Sequence, residues 1–153
     1  MRPDREPSGG PPAGPPPLRP FGLVLHRDGC FRHEGVPLRN ARLRALFARS
    51  VRFLPDEGKY VVQVGRFRGE IEVEEAGFFL RRVELATGAI ALSDGSEEAL
   101  DPATLRPSAL DPEALLCTVK STLVPGGLPA RFDRGAQAEL LLAVEETPAG
   151  LAL

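Results

Sequence analysis

Two histidines and two cysteines are the residues whose types could bind a metal ion or carry out thiol chemistry. His26, Cys30 and His33 lie close together in the chain, whereas Cys117 is far from them. The spacing His-x3-Cys-x2-His is not that of a structural zinc motif, and both histidines would have to face the same side of one hairpin. The sequence therefore predicts no metal site, with surface or edge histidines and buried thiols instead.

Thiol catalysis requires a thiolate with a basic partner, usually in an electropositive and accessible environment. Cys30 follows a tight turn rather than opening a helix, and Cys117 lies between Leu116 and Thr118 in an apolar, β-rich stretch. Ser50 falls on the apolar face of a predicted helix. No serine elbow, P-loop, dinucleotide fingerprint or HExxH motif occurs. We therefore expect a protein that is not an enzyme and that uses no cofactor.

Two short passages contain the residues best suited to bind a ligand. GVPLR at 35–39 and GLPAR at 127–131 each precede a predicted helix and share three residues: Gly35, Pro37 and Arg39 in the first, Gly127, Pro129 and Arg131 in the second. If the passages are copies of one unit, a pseudo-twofold axis places Arg39 and Arg131 in a cleft between two lobes. Two guanidiniums there would bind a carboxylate or phosphate group of a small anionic molecule or peptide. The alternative is that each arginine only hydrogen-bonds carbonyls of its own loop.

A second group of arginines lies between Gly35 and Pro55, all but the first on the predicted helix, with no acid among them. Its members are Arg39, Arg42, Arg44, Arg49 and Arg52. Such a group is usually a solvated helix face, and it could also bind anionic lipid or nucleic acid. The acidic stretch Glu70–Glu75 offers a third outcome, in which the arginines are neutralised within the fold. We favour neutralisation, because the charges of the chain nearly cancel.

Composition limits the classes of partner. The 153 residues carry a net charge of −2, which argues against nucleic acid, and the absence of Trp leaves few platforms for base stacking. No apolar run reaches the length of about 18 residues that a membrane-spanning helix needs. No apolar stretch of the secretory type follows the first arginines, and two distant cysteines do not suggest a disulfide framework. We expect a cytoplasmic protein.

The chain divides into an arm and two lobes. Residues 1–20 contain eight of the sixteen prolines, so we expect a disordered arm that could bind a protein partner through its PxxP spacing. The predicted lobes are 21–76 and 77–153. Asp28-Gly29 predicts a hairpin turn, and the segments from 59 to 93 predict a meander of four strands. Residues 94–112 are predicted to form a loop with one helical turn, before a strand at 115–124 and a short final strand at GLAL.

Apolar periodicity predicts two helices, one in each lobe. The first spans 40–54 with Asn40 as its N-cap, and its predicted inner face is Leu43, Leu46, Phe47, Ser50, Val51 and Leu54. The second spans 134–146 after Asp133, and its predicted inner face is Gln137, Leu140, Leu141 and Val144. The fold class expected from these elements is α+β, with duplicated strand–turn–helix units and antiparallel sheets.

Three passages of the chain resemble the DUF1285 family of uncharacterised bacterial proteins. They are DGCFRHEGVPLRNARLRALF, IEVEEAGFF and LPARFDRGAQAELL. The chain departs from the family pattern at Cys30-Phe31, where the family has Trp, at Glu75 in place of Asp and at Gly77 in place of Pro. The resemblance implies an internally duplicated α+β fold, a second half loosely similar to pleckstrin-homology folds, and a binding site between the halves. It implies no catalytic activity, and a role in signalling or regulation is the function we expect.

Overall fold

The structure is a computed structural model that describes residues 19–145. Most of the predicted arm and the predicted final strand GLAL lie outside the described residues. Arg19 and Pro20, which we assigned to the arm, form the start of the first strand. Within the described residues the fold is α+β, with two α-helices and two six-stranded sheets of mixed direction. The predicted α+β class is confirmed, whereas the sheets, which we expected to be antiparallel, each contain one parallel pair.

Six strands and one helix build the N-terminal lobe. They are β1 Arg19–Leu25, β2 Phe31–His33, β3 Val36–Pro37, α1 Ala41–Ser50, β4 Val51–Leu54, β5 Lys59–Val64 and β6 Phe67–Val73. The C-terminal lobe contains β7 Phe78–Glu84, β8 Ala89–Leu92, β9 Glu97–Ala99, a 3-10 helix at Pro102–Thr104, β10 Arg106–Pro107, β11 Leu115–Val119, β12 Leu128–Phe132 and α2 Arg134–Glu145. Neither helix is long and apolar enough to cross a bilayer, within the part of the chain that the structure describes.

The two sheets have the same topology. Their strand orders are β3-β2-β1-β6-β5-β4 and β9-β8-β7-β12-β11-β10. In each lobe the first and last strands lie side by side and parallel at the centre of the sheet, and the other pairs are antiparallel. A parallel pair needs a crossover connection, and here the other four strands of the lobe supply it. The predicted duplication is confirmed, and its unit is a six-stranded lobe.

The α-helices occupy different positions in the two lobes, although the strands repeat. α1 joins the third and fourth strands of its lobe, where the C-terminal lobe has the 3-10 helix at Pro102–Thr104, and α2 follows the sixth strand. GVPLR at 35–39 therefore covers a third strand and GLPAR at 127–131 covers a sixth. The two passages occupy different places in the repeat. Their shared residues do not mark equivalent positions of the two lobes.

GLPAR lies in a strand that the sequence did not predict, because its proline is typical of turns. β12 pairs with β11 along its length, with Pro129 opposite Thr118. Pairing with β7 begins only at Ala130. Pro129 therefore has a ladder partner on one side only, a position in which the missing N–H of proline is tolerated.

The first helix is shorter than predicted. Asn40 caps α1 as expected, since its Oδ1 accepts a hydrogen bond from the N–H of Leu43 at 3.0 Å. Ser50 ends the helix, with its Oγ donating to the carbonyl of Leu46, and the chain becomes extended at Val51. Residues 51–54 form β4 and pair with β5. The apolar residues of 51–54 fit both the helical period of 3.6 residues and the strand period of two. The predicted helix was therefore extended through residues that form a strand, although β-branched Val51 favours the strand.

The predicted meander of four strands is wrong, because β6 and β7 belong to different sheets. The pairs β5–β6 and β7–β8 form as expected. Residues 74–77, which we call the connector, carry the chain from one sheet to the other. The predicted loop at 94–112 contains the expected helical turn, but also β9 and β10, whose two or three residues are too short to show a period.

One continuous apolar core joins both lobes, and α2 covers part of it. Among the side chains of α2 that the structure describes, Ala136 and Leu140 are buried and spaced by one turn. Val144, which we also placed on the inner face, lies outside the described side chains. Leu141, which we placed on the inner face, is 42% exposed. The buried stripe of α2 is thus rotated away from the predicted one, because small Ala136 lies against the sheet.

The connector is closely packed against Tyr60. The ring of Tyr60 makes an edge-to-face contact with Phe53, with centroids 4.9 Å apart, and lies 6.0 Å from the ring of Phe78. A Cβ at Gly77 would collide with ring atoms of Tyr60. Burial also raises the pKa of Tyr60 to about 12. Glycine at 77, where the resembling family has proline, therefore leaves space for this ring.

The substitution Gly77→Ala should destabilise the protein by about 1–3 kcal/mol, because the added methyl group must displace the Tyr60 ring from a packed core. Gly135→Ala is the matched control. Gly135 lies in α2 with open space around it, so alanine there should be neutral or stabilise by up to about 1 kcal/mol. Urea denaturation of both variants measures the difference. Equal stabilities would show that the ring does not fill the space at 77.

Candidate functional site

A cleft of about 790 Å³ lies between the two lobes. The turn between β1 and β2 and the connector form one wall. The loop before β11 and the start of α2 form the other. Its lining includes His26, Arg27 and Arg32 from the N-terminal lobe and Arg131, Arg134 and Gln137 from the C-terminal lobe. This volume is within the usual range for sites that bind small molecules.

The β1–β2 turn is fixed by its own side chain. Asp28 Oδ1 accepts a hydrogen bond from the N–H of Cys30 at 3.0 Å, and Gly29 has the positive φ of 86° that the turn requires. The backbone hydrogen bond from Cys30 holds the pKa of Asp28 below its usual value. The hairpin predicted at Asp28-Gly29 is confirmed, and β2 directs Arg32 into the cleft.

Arg27 joins this turn to the connector. Its backbone N–H donates to Glu74 Oε1 at 2.8 Å, and its guanidinium donates to Glu74 Oε2 at 2.9 Å. His26 Nδ1 lies 3.6 Å from Glu74 Oε1. The backbone hydrogen bond from Arg27 is the main cause of a lowered pKa for Glu74.

Arg131 is held at the floor of the cleft by two carboxylates. It lies 3.1 Å from Glu75 Oε1 and 3.1 Å from Asp111 Oδ2, and its side chain is 13% exposed. Ser108 donates a short hydrogen bond to the other oxygen of Glu75, and Ser108 Oγ accepts the N–H groups of Leu110 and Asp111. The positive charge of Arg131 is therefore compensated within the fold.

Of the six predicted ligand residues, the cleft contains one. Arg131 lines it, whereas Arg39 is exposed and lies outside its lining, so the structure does not bring these two arginines together there. The other four also lie outside it: Gly35, Pro37, Gly127 and Pro129. Gly127 has a local role, since it has a φ of 73° and an added Cβ would lie 2.8 Å from the carbonyl of Val119. The alternative was that each arginine only hydrogen-bonds carbonyls of its own loop. Arg131 does have such a structural role, but its partners are the carboxylates of Glu75 and Asp111.

Two cleft arginines were missed from the sequence. Arg32 and Arg134 are exposed, line the cleft from opposite lobes, and have no ion pair among residues 22–143, whose side chains the structure describes. Arg134 directly follows Asp133, whose carboxylate pairs with Arg81 at 2.9 Å and whose carbonyl accepts the N–H of Gln137. Two signals in the sequence could have indicated these positions. Arg32 follows the buried Phe31 in β2, where alternate residues face opposite sides, and Arg134 is the first residue of the predicted second helix.

The cysteines differ from catalytic thiols. Burial and the neighbouring Asp28 raise the pKa of Cys30, and burial raises the pKa of Cys117 to about 12. Both thiols are free. Within the described part of the chain, no three His, Cys, Asp or Glu side chains are grouped so that they could hold a metal ion. The thiolate form that nucleophilic catalysis needs is disfavoured at both positions.

The second charged surface, on α1, is not neutralised as predicted. Lys59 pairs with Glu70 at 3.3 Å, while Glu74 and Glu75 pair with Arg27 and Arg131. None of these partners belongs to α1. Three of the four acids at 70–75 thus pair with other cations, and no ion pair among the described side chains joins Glu72 to α1, so that prediction is wrong.

Two crystal structures are similar to this chain. A DUF1285 family protein from Silicibacter pomeroyi DSS-3 matches with a TM-score of 0.58 and 18% identity, over 84% of this chain and 72% of that protein. A DUF1285 family protein from Shewanella baltica OS155 matches with a TM-score of 0.51 and 16% identity, over 80% of this chain and 91% of that protein. The chain has the DUF1285 fold. No family model and no curated protein matches its sequence. The predicted resemblance to DUF1285 proteins is thus confirmed at the level of the fold.

Arg131→Ala should cost about 2–4 kcal/mol of stability, because it leaves the Glu75 carboxylate, 9% exposed, without its cation. Arg39→Ala should change stability by less than about 0.5 kcal/mol, as at other exposed positions. Urea denaturation at neutral pH compares the two. Equal losses in both variants would contradict a structural role for the Arg131 ion pairs.

The carboxyl group of Glu74 should titrate below the ordinary value of 4.5. Its depressed pKa in the folded state means that its contribution to stability is present above pH 4.5 and is lost as pH falls through the folded pKa. A carbon-detected NMR titration gives the midpoint, and Glu74→Gln should remove this part of the acid dependence. A midpoint at or above 4.5 would show that the Arg27 contact does not form in solution.

Proposed function

We propose that this protein is a non-catalytic binding protein, and that a small anionic molecule or the carboxylate of a peptide binds in the cleft between its lobes. The observation that carries the proposal is the position of Arg32 and Arg134. These exposed guanidiniums come from opposite lobes, line one cleft and have no ion pair within the described residues. An anion between them would gain charge-assisted hydrogen bonds from both lobes.

The rest of the cleft gives the ligand its character. Glu113 and Asp28 also line the cleft, so a ligand with several negative charges close together would be repelled. Phe79 and Leu141 add apolar surface. This mixture of charged and apolar groups favours a ligand with one anionic group and an apolar part, such as a short acidic peptide or an organic acid.

Binding without catalysis is supported by the chemistry of the thiols, since the pKa values of both Cys30 and Cys117 are raised. As part of the same proposal, we place the protein in the cytoplasm of a bacterium. The two proteins that share its fold come from bacteria. A ligand that contacts both lobes would stabilise their relative position, which is a property suited to signalling or regulation. The likeness of the second half to pleckstrin-homology folds stays a prediction.

Isothermal titration with citrate, inorganic phosphate and a short acidic peptide tests the proposal. At least one of these probes should bind. The double variant Arg32→Gln/Arg134→Gln should weaken this binding by roughly 150-fold, because two charged hydrogen bonds at about 1.5 kcal/mol each, the lower end of their range, together contribute about 3 kcal/mol. The matched control is Arg66→Gln with Arg82→Gln. It removes the same charge from exposed positions outside the cleft.

Amide shifts in NMR spectra locate the bound probe. Shifts confined to the cleft, and lost only in the Arg32/Arg134 variant, support the proposal. Absence of binding by all three probes, or equal affinity in both double variants, would contradict it.

A further inference from the structure

The outer surface of α1 and its flanks forms a cationic face that the cleft does not use. We call it the arginine face and define it by Arg39, Arg42, Ala45, Arg49 and Arg52, all of which are exposed. Arg42 and Arg49 are two turns apart, so their Cα atoms are separated by about 10 Å along the helix axis. Ala45 lies between them, and its small side chain leaves the face flat.

These guanidiniums are available to an outside partner. Arg39, Arg42 and Arg49 form no ion pair within residues 19–145. Arg52 donates to the carbonyls of Arg49 and Val51, both at 2.8 Å, which fixes its charge at the end of α1 without neutralising it. Of the four acids at 70–75 that could have neutralised this face, Glu70, Glu74 and Glu75 pair with other cations. No ion pair among the described side chains joins the fourth, Glu72, to the face.

The placement of Arg42 is also unfavourable for the helix itself. It lies in the first turn of α1, where the helix dipole favours acids, and that turn contains none. A cation there costs a few tenths of a kcal/mol. Helix stability accounts for Arg49, since a cation is favoured in the last turn, but not for Arg42 in the first turn, whereas a binding role for the face accounts for both.

Exposed apolar residues close in sequence to the face favour a membrane over a nucleic acid. Val36, in the edge strand β3 close before α1, is 64% exposed, and Leu43 on α1 is 37% exposed. Phe47, which could have stacked on a base, instead packs on Phe31 with ring centroids 5.9 Å apart. Cationic groups beside exposed apolar side chains suit the boundary between lipid headgroups and acyl chains.

We propose that the arginine face binds the anionic headgroups of a phospholipid membrane, with the protein resting on the surface. Each arginine near such a surface contributes about 1 kcal/mol, so a few of them give weak and reversible attachment. The overall charge of −2 requires that α1 faces the membrane and that the acidic surfaces point away. This surface proposal does not depend on a ligand in the cleft.

Co-flotation of the full chain with vesicles tests the proposal. The protein should float with phosphatidylcholine vesicles that contain about 30% phosphatidylserine and should not float with pure phosphatidylcholine. Binding should weaken steeply as salt is added, because the contacts are between exposed charges. The double variant Arg42→Gln/Arg49→Gln should lower the partition coefficient about 30-fold, which corresponds to about 2 kcal/mol.

Three further proteins control the experiment. Arg66→Gln/Arg82→Gln loses the same two charges away from α1 and should lose far less than the α1 variant. Arg42→Lys/Arg49→Lys keeps the charge and should bind like the parent protein, which also guards against misfolding of the glutamine variant. Arg32→Gln/Arg134→Gln should float normally, so failure of the cleft proposal would not be confused with failure of this one.

Absence of flotation by the parent protein at low salt would overturn the proposal, as would equal losses in the α1 variant and its charge-matched control. In parallel, an electrophoretic mobility-shift assay with a short DNA duplex tests whether the face binds nucleic acid instead. Binding of the duplex through Arg42 and Arg49, without binding of vesicles, would assign the face to nucleic acid and overturn the membrane partner.

Discussion

Glu74 and Glu75 are neighbours in the chain and bind arginines of opposite lobes. Glu74 holds Arg27 of the β1–β2 turn, and Glu75 holds Arg131 of β12. Because only the connector separates the two sheets, these two carboxylates tie the connector to both lobes. Together with the apolar core that continues through both lobes, these ion pairs hold the turn and the start of α2 on opposite sides of the cleft.

The same ion pairs explain why Arg131 lies in the cleft and yet is not free to bind an anion. Its guanidinium is shared between Glu75 and Asp111, so it organises the floor. The groups that remain for a ligand are Arg32 and Arg134, which lie higher on the two walls and are exposed. The buried arginine is thus structural, and the exposed arginines are the ones proposed to bind. Side-chain exposure distinguishes the two roles more clearly than the neighbouring residues in the sequence do.

Local chemistry made parts of this structure predictable. Asn40 and the Asp28-Gly29 turn were found because a cap and a tight turn depend on a few adjacent residues. β12 and the end of α1 were not, because a proline in a strand and a valine after a helix depend on partners across the sheet. The ion pairs of the connector join residues 47 and 56 positions apart, and no periodicity connects such residues. Arg39 was placed in a cleft by a repeat whose true unit is a whole lobe.

The parallel pair at the centre of each sheet has a consequence for how the chain travels. Because β1 and β6 run in the same direction, the entry and the exit of a lobe lie at opposite ends of the central strands, about 20 Å apart for seven residues. The chain therefore leaves a lobe at the end opposite to the one at which it entered. Circular permutation within one lobe would need a long added linker, whereas joining further lobes in tandem would need only short ones.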